Sequence, residues 1–186
     1  MPRLFIGWPL SDETKRSVGA TAQSLKPDLP RASWTRPETY HLTFAFLGDQ
    51  REDDVDHLGR ALVEMAGNAP PIEISLGAAG FFPDVRRPRV GWLGLEPVQP
   101  VETMAAAVRR AVSSLDLEYD EKPFHPHLTI VRPKARWGRS ETERFLYAWD
   151  EKTGTPLLVD SITLFESRLG PGGATHVARA TVPLRE

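Results

Sequence analysis

Two short stretches of the chain open with the same tripeptide and continue into apolar residues. HLTFAFLG spans 41–48 and HLTIV spans 127–131, and each pattern predicts a strand that is largely buried on both faces. Apolar spacing and turn residues predict further strands at 3–8, 71–82, 89–95, 157–167 and 176–184, and helices at 11–25, 51–65, 101–115 and 139–149. Polar or Gly/Pro-rich segments predict a loop at 31–40 and turns at 83–88 and 170–174.

The order of these elements suggests a weak internal repeat. Each half of the chain offers helices and short strands around one His-Leu-Thr, and no low-complexity segment or linker separates the halves. We therefore predict one domain, residues 1–186, of the α+β class with largely antiparallel strand pairing.

Composition narrows the class of protein. The 186 residues are 40% hydrophobic and 26% charged, with a net charge of −2 and no cysteine. Disulfides and thiolate metal sites are excluded, a generally basic nucleic-acid binder is disfavoured, and a local basic cleft stays open. No apolar run approaches the roughly 18 residues that span a bilayer, and the N-terminus predicts a first strand rather than a signal peptide. We expect a cytoplasmic protein without membrane association.

The repeated motif carries candidate chemistry. Because side chains alternate along a strand, His41 and Thr43 share one face, and His127 and Thr129 repeat this arrangement. If the two half-sheets face each other across a groove, two imidazoles and two hydroxyls converge. One imidazole can then give a proton while the other takes one, and the hydroxyls can donate hydrogen bonds to an anion. This inventory suits a phosphodiester.

These motifs, with RLFIG at 3–7 and the segment GFFP…P.V.W.G, resemble the RNA 2′,3′-cyclic phosphodiesterases. That family, whose bacterial members were also called 2′-5′ RNA ligases, belongs to the two-histidine phosphoesterase superfamily. The resemblance runs from Arg3 to Leu184. It implies a bilobal, pseudo-two-fold arrangement of two antiparallel sheets lining a central cleft, with helices on the outside and neither a metal nor another cofactor.

The resemblance also implies roles for residues. His41 is the expected proton donor to the departing 3′-oxygen, and His127 is the expected acceptor of a proton from the attacking water. Thr43 and Thr129 are expected to bind substrate, and Arg132 to reach the phosphate or the flanking RNA. One departure is visible, because many relatives carry tyrosine where this chain has His176.

The expected activity is that of a monomeric hydrolase that opens a 2′,3′-cyclic phosphate and leaves a 2′-phosphate. Its partners would be RNA 3′ ends or cyclic nucleotides, and the related reaction, with an RNA 5′-hydroxyl replacing water, would give 2′-5′ ligation without ATP. Other cyclic phosphates and 2′-5′-linked oligonucleotides stay open as substrates. A non-catalytic module that binds RNA ends is the alternative, which the paired histidines disfavour because lysine or arginine would serve binding better.

The remaining histidines have plainer interpretations. His125 and His127 lie on one side of a short extended segment and could form a metal pair, but no matching carboxylate is near. His57 follows an acidic stretch and is expected to be solvated. His176 is either an ordinary strand residue or part of the groove wall.

Basic residues cluster after the second motif. The run RPKARWGRSETER (132–144) is either a solvated face or an RNA-binding rim, in which Trp137 could stack on a base. Arg86, Arg87 and Arg89 could add to such a rim. The other tryptophans considered, Trp34, Trp92 and Trp149, are expected in the core.

Overall fold

The chain folds as an α+β protein, as predicted. The computed structural model describes residues 1–67, 69–171 and 173–185. The strands in these residues are β1 (Arg3–Pro9), β2 (Ala32–Trp34), β3 (His41–Asp49), β4 (Ile72–Phe82), β5 (Val90–Glu96), β6 (His127–Pro133), β7 (Pro156–Val159), β8 (Ser161–Gly170) and β9 (Gly173–Pro183). The helices are α1 (Asp12–Leu25), α2 (Glu52–Ala66), α3 (Val98–Ser113) and α4 (Arg139–Tyr147).

Two predicted elements differ from the structure for local reasons. The helix predicted at 101–115 begins earlier, at Val98. Pro100 does not prevent this start, because it lies in the first turn, where a backbone N–H has no partner within the helix. The predicted loop at 31–40 contains the three-residue strand β2 and a 3₁₀ turn at Pro37–Thr39. Both are too short for periodicity to reveal.

The strand predicted at 157–167 is in fact two strands. The chain leaves strand geometry at Asp160, whose carboxylate accepts a hydrogen bond from Trp8 Nε1 at 3.3 Å. β7 then pairs with β4, whereas β8 pairs with β1. The predicted turn at 170–174 lies between β8 and β9, and its Gly172 falls outside the described residues.

The strands form two half-sheets that meet at one point. The order is β7-β4-β5-β6-β3-β1-β8-β9, with β2 on β6. β3 and β6 pair only at Leu42 and Leu128, which lie opposite each other at the centres of the two motifs. β2 takes over the same edge of β6 from Val131 onwards. The half-sheets therefore diverge on either side of this pair, and a cleft opens between them.

The lobes do not coincide with the halves of the sequence. β4 precedes the midpoint of the chain and β5 spans it, yet they join β6 and β7 from the second half. β8 and β9 come last, yet they extend the half-sheet of β1 and β3. Each lobe therefore needs strands from both halves of the sequence.

The helices pack against the half-sheets. α2 contacts β8, β9 and α3, while α3 contacts β3 and α4 contacts β4. Leu42 and Leu128 are buried, and they belong to the same apolar core as Leu58 of α2 and Val108 of α3. No helix in the described part of the chain is long and apolar enough to cross a bilayer.

Candidate active site

Both His-x-Thr motifs open onto one cleft. Its volume is about 680 Å³, within the range usual for ligand sites. The predicted site residues all line it: His41, Thr43, His127, Thr129 and Arg132. Strand alternation explains the first four, because the leucine at the centre of each motif points into the core.

The two imidazoles are held in the same way. His41 Nδ1 lies 2.7 Å from the Thr39 carbonyl oxygen, and His127 Nδ1 lies 2.6 Å from the His125 carbonyl oxygen. Since a carbonyl only accepts, each Nδ1 carries the hydrogen and donates it. The other nitrogen, Nε2, is therefore left for a ligand in both rings, and it has a lone pair whenever the ring is neutral.

Burial lowers the pKa of both rings. The pKa of His41 falls to about 4, chiefly because burial disfavours the charged ring, with smaller contributions from the nearby His176 and His127. Burial also lowers the pKa of His127, helped by His125 and Arg132. Both rings are therefore neutral in the free protein at neutral pH. A bound anion would act in the opposite direction, because a negative charge stabilises imidazolium.

A β-bulge brings Arg132 into the cleft. Strict alternation from His127 would put Arg132 on the opposite face. However, two consecutive residues of β5 pair with Thr129 and Val131, so Ile130 is an extra residue in β6. Ile130 and Val131 are both buried, and the exposed Arg132 returns to the side of the threonine.

The first motif contains the same irregularity. Consecutive residues of β1 pair with Thr43 and Ala45, so Phe44 is the extra residue of β3. Phe44 and Ala45 are buried, and Phe46 lines the cleft. Phe46 therefore occupies on β3 the position that Arg132 occupies on β6. The pseudo-two-fold relation extends beyond the tripeptides, with an aromatic ring on one side and a guanidinium on the other.

His176 forms part of the cleft wall, so it is not merely an ordinary strand residue. From β9, its ring meets the ring of His41 edge-on with centroids 4.7 Å apart, and it contacts Phe5 at 4.9 Å. Burial and the nearby Arg36 lower its pKa. The His176 side chain thus touches one of the two motif histidines.

His125 serves the site through its backbone. Its carbonyl orients His127, while its ring packs edge-on against Trp92 at 4.7 Å and Phe82 at 5.3 Å. Across residues 1–67, 69–171 and 173–185, no group of three or more His, Cys, Asp or Glu side chains is arranged to hold a metal. His57 is exposed on α2, as expected.

Of the two interpretations of the basic run, the one in which Trp137 stacks on a base is wrong. Its side chain is only 3% exposed and packs against Phe81 and Phe145 in the core. Within the basic run, Arg139 pairs with Glu143 at 2.7 Å, and only Arg132 lines the cleft. The exposed arginines of the β4–β5 turn, Arg86, Arg87 and Arg89, also lie outside the cleft lining.

The other tryptophans divide between core and cleft. Trp149 is buried, as predicted. Trp34 is half-buried and packs against the core, and it also lines the cleft from β2. Trp92 is half-buried and packs on Phe82.

Several cleft residues carried no sequence signal: Phe5, Trp34, Arg36, Phe46, Asp120 and Lys122. Arg36, Asp120 and Lys122 come from loops, Trp34 comes from a three-residue strand and Phe46 follows a bulge, none of which periodicity resolves. Phe5 lies on the predicted strand β1, but its pattern gave no sign of a cleft. The Arg36 guanidinium donates to the Ala174 carbonyl at 2.8 Å, and Lys122 pairs with Asp120 at 2.7 Å.

Comparison with known proteins shows similarity to one family over most of the chain. A family model described as the 2′-5′ RNA ligase superfamily matches residues 14–171. The chain is 32% identical over 128 residues to an RNA 2′,3′-cyclic phosphodiesterase of Geobacillus stearothermophilus, covering 69% of this chain but only 41% of that protein. The protein of the same name from Bacillus subtilis is 32% identical over 133 residues, covering 70% of this chain and 71% of the relative. The one from Methanothermobacter thermautotrophicus is 29% identical over 180 residues and covers 94% of each chain.

Solved structures share the fold. The protein TT0787 of Thermus thermophilus superposes with a TM-score of 0.83 at 25% identity, over 98% of each chain. Escherichia coli LigT complexed with 3′-AMP superposes with a TM-score of 0.76 at 21% identity, over 100% of this chain and 99% of that one. The bilobal architecture with helices outside is therefore that of known proteins.

Proposed function

The chain belongs to the 2′-5′ RNA ligase superfamily, and from this membership we propose that it is an RNA 2′,3′-cyclic phosphodiesterase. It opens the cyclic phosphate at an RNA 3′ end by hydrolysis and leaves a 2′-phosphate. One observation carries the proposal: two imidazoles, each held through Nδ1 by a carbonyl two residues earlier, share one cleft with two threonines and Arg132. That pairing supplies an acid and a base to the two sides of one phosphorus atom.

In the proposed reaction, His127 Nε2 takes a proton from water as the water oxygen bonds to phosphorus. The bond from phosphorus to the 3′-oxygen breaks, and His41 gives its Nε2 proton to that oxygen. The ring of His127 ends protonated and that of His41 ends neutral, and proton exchange with solvent restores the starting state. Thr43, Thr129 and Arg132 bind the non-bridging oxygens, where charge accumulates.

The lowered pKa of His41 sets a condition on this scheme. In the free protein the ring is neutral at neutral pH, so it must gain its proton as substrate binds. The phosphate anion favours this gain because opposite charges at close range stabilise imidazolium. The same scheme with an RNA 5′-hydroxyl in place of water forms a 2′-5′ phosphodiester, which is ligation without a nucleotide cofactor.

The proposal extends to the molecule as a whole. Residues 1–186 act as a single two-lobed domain, as a monomer, on RNA 3′ ends in the cytoplasm. Each lobe contains strands from both halves of the sequence, which supports a single domain. The absence of cysteine from the sequence is compatible with a reducing compartment.

The test uses a defined RNA that ends in a 2′,3′-cyclic phosphate. Mass spectrometry should show the addition of one water, and phosphatase mapping should place the product phosphate on the 2′-oxygen. His127→Ala, purified in parallel, controls for contaminating activity. Tight binding of the cyclic end without turnover would favour the RNA-end-binding module, and a 3′-phosphate product would contradict the proposed departure of the 3′-oxygen.

A further inference from the structure

One wall of the cleft carries a cation that the proposed chemistry does not use. Arg36 is exposed at the start of the 3₁₀ turn, and its guanidinium donates one hydrogen bond to the carbonyl of Ala174, on β9. His176 follows Ala174 by two residues, so both side chains lie on the same face of that strand. Arg36 and His176 therefore line the cleft together, and they are close enough for the arginine to lower the pKa of the histidine.

Arg36 differs from Lys122, the other cation on the His41 side, in having no carboxylate partner among the described residues. Lys122 also lines the cleft, but its ammonium group lies 2.7 Å from the Asp120 carboxylate. Arg36, in contrast, has no ion pair among the residues that the structure describes. Its remaining N–H groups are available to an anion, and guanidinium matches the geometry of phosphate oxygens.

The proposed reaction fixes where the RNA strand continues. Water attacks from the side of His127, and the departing 3′-oxygen lies beside His41, so the terminal ribose lies on the His41 side. The phosphodiester to the preceding nucleotide is attached through the 5′-carbon of that ribose and lies farther out on the same side. His176 packs directly on His41, which puts this wall next to the expected ribose.

We infer that Arg36 and His176 form a binding site for the phosphodiester that precedes the terminal cyclic phosphate. The inference rests on the proposed function and names the substrate class more narrowly. Arg36 supplies the charge, and His176 adds a ring N–H donor. The site gives RNA ends an advantage over cyclic mononucleotides, which lack that phosphodiester.

The test compares two substrates in each variant. One is adenosine 2′,3′-cyclic phosphate, and the other is the dinucleotide ApA with a terminal 2′,3′-cyclic phosphate. The measured quantity is the ratio of kcat/KM for the dinucleotide to kcat/KM for the mononucleotide. Turnover of the mononucleotide reports that each variant is folded. Arg36→Gln should lower the ratio about tenfold, the usual effect of one charged hydrogen bond, and His176→Gln should lower it less.

Two further variants sharpen the comparison. Arg36→Lys keeps the charge and should keep most of the ratio. Arg136→Gln removes an exposed arginine outside the cleft lining and should leave both rates unchanged. In the wild type, log kcat/KM should fall more steeply with log salt for the dinucleotide, by about 0.7 per phosphate contact.

The outcomes are distinguishable. An unchanged ratio in Arg36→Gln, or an equal fall in Arg136→Gln, overturns the site while hydrolysis itself continues. If the wild type hydrolyses neither substrate, the proposed function fails, and the inference fails with it.

Discussion

His41 and His127 present the same nitrogen to the cleft because each Nδ1 is occupied by a carbonyl. Their surroundings nevertheless differ. His41 packs against His176 and Phe5, whereas His127 has Arg132 and the ring of His125 nearby. Equal orientation with unequal surroundings is what a reaction needs when one ring gives a proton and the other takes one.

The pH dependence of activity follows from these pKa values. In the free protein both histidines have a pKa below 6.5, so above that pH His41 must gain a proton on binding. We expect kcat/KM to fall about tenfold per pH unit above 6.5, since it reports the free protein. The alkaline limb of kcat should lie at higher pH, because the bound phosphate raises the pKa of His41.

Rate profiles on a cyclic mononucleotide between pH 4 and 9 test this expectation. His57→Gln removes an exposed histidine on α2 and serves as the control, with both profiles unchanged. Coincident alkaline limbs above pH 7 for kcat and kcat/KM would contradict the assignment of a neutral His41 in the free protein.

Single side chains were predictable from the sequence where a regular strand positions them. The period of two put each histidine and its threonine on one face, and both pairs do line the cleft. Base stacking by Trp137 was left open because its charged neighbours suggested either a solvated face or an RNA-binding rim, whereas its ring is buried in the core. Arg132 was identified through family resemblance, since alternation alone places it on the wrong face.

At the scale of elements, the two bulges position the cleft residues beyond the motifs. Gly7 of β1 pairs with Thr43 at the bulge of β3. A Cβ at Gly7 would overlap the Leu42 carbonyl oxygen, so only glycine allows β1 to approach β3 this closely. Bulges leave little trace in a hydrophobic pattern, since two consecutive buried residues also occur in fully buried strands.

Alanine substitutions at two glycines should therefore distinguish a steric clash between strands from a gain in helix propensity. Gly7→Ala should lower the free energy of unfolding by about 1–3 kcal/mol, because the added methyl group pushes β1 from β3. Gly59→Ala is the matched control on α2, where the new Cβ would lie 3.5 Å from Ala180 Cβ, an ordinary contact. There we expect about 0.5–1 kcal/mol of stabilisation, because alanine favours helices. Urea unfolding measures both, and equal stability of Gly7→Ala and wild type would refute the close approach.

At the scale of the whole molecule, each half-sheet combines strands from the first and the second half of the sequence. Periodicity predicted most strands but could not predict their partners, because pairing between distant segments depends on the assembled core. The repeated tripeptide suggested two equivalent halves. The structure instead has two lobes, each built from strands of both halves of the sequence.

This topology predicts that neither half folds alone. The fragment 1–97 contains β4 and β5 without β6, and β1 and β3 without β8. We expect no cooperative unfolding transition from fragment 1–97 or from fragment 98–186 by circular dichroism. The full chain, under the same conditions, is the control. A cooperative transition in either fragment would contradict the interdependence of the lobes.

The composition of the cleft predicts activity without a divalent metal. Of the described residues that line it, Asp120 is the one carboxylate, and it is paired with Lys122. The acid–base groups and hydroxyls suffice for the proposed steps. We therefore expect full activity after treatment with EDTA. Loss of activity that zinc or manganese restores would contradict this and point to His125 and His127 as a metal pair.

The central claim is that His41 donates and His127 accepts a proton across one phosphorus atom. Replacing either by alanine should lower turnover about 10²–10⁴-fold on an ordinary cyclic phosphate. The most direct measurement repeats the assay with a substrate that carries sulfur at the 3′ bridging position. A thiolate leaves without an acid, so the account predicts that this substrate largely restores His41→Ala and leaves His127→Ala impaired. Restoration of His127→Ala alone would reverse the roles, and restoration of neither would contradict acid–base catalysis by this pair.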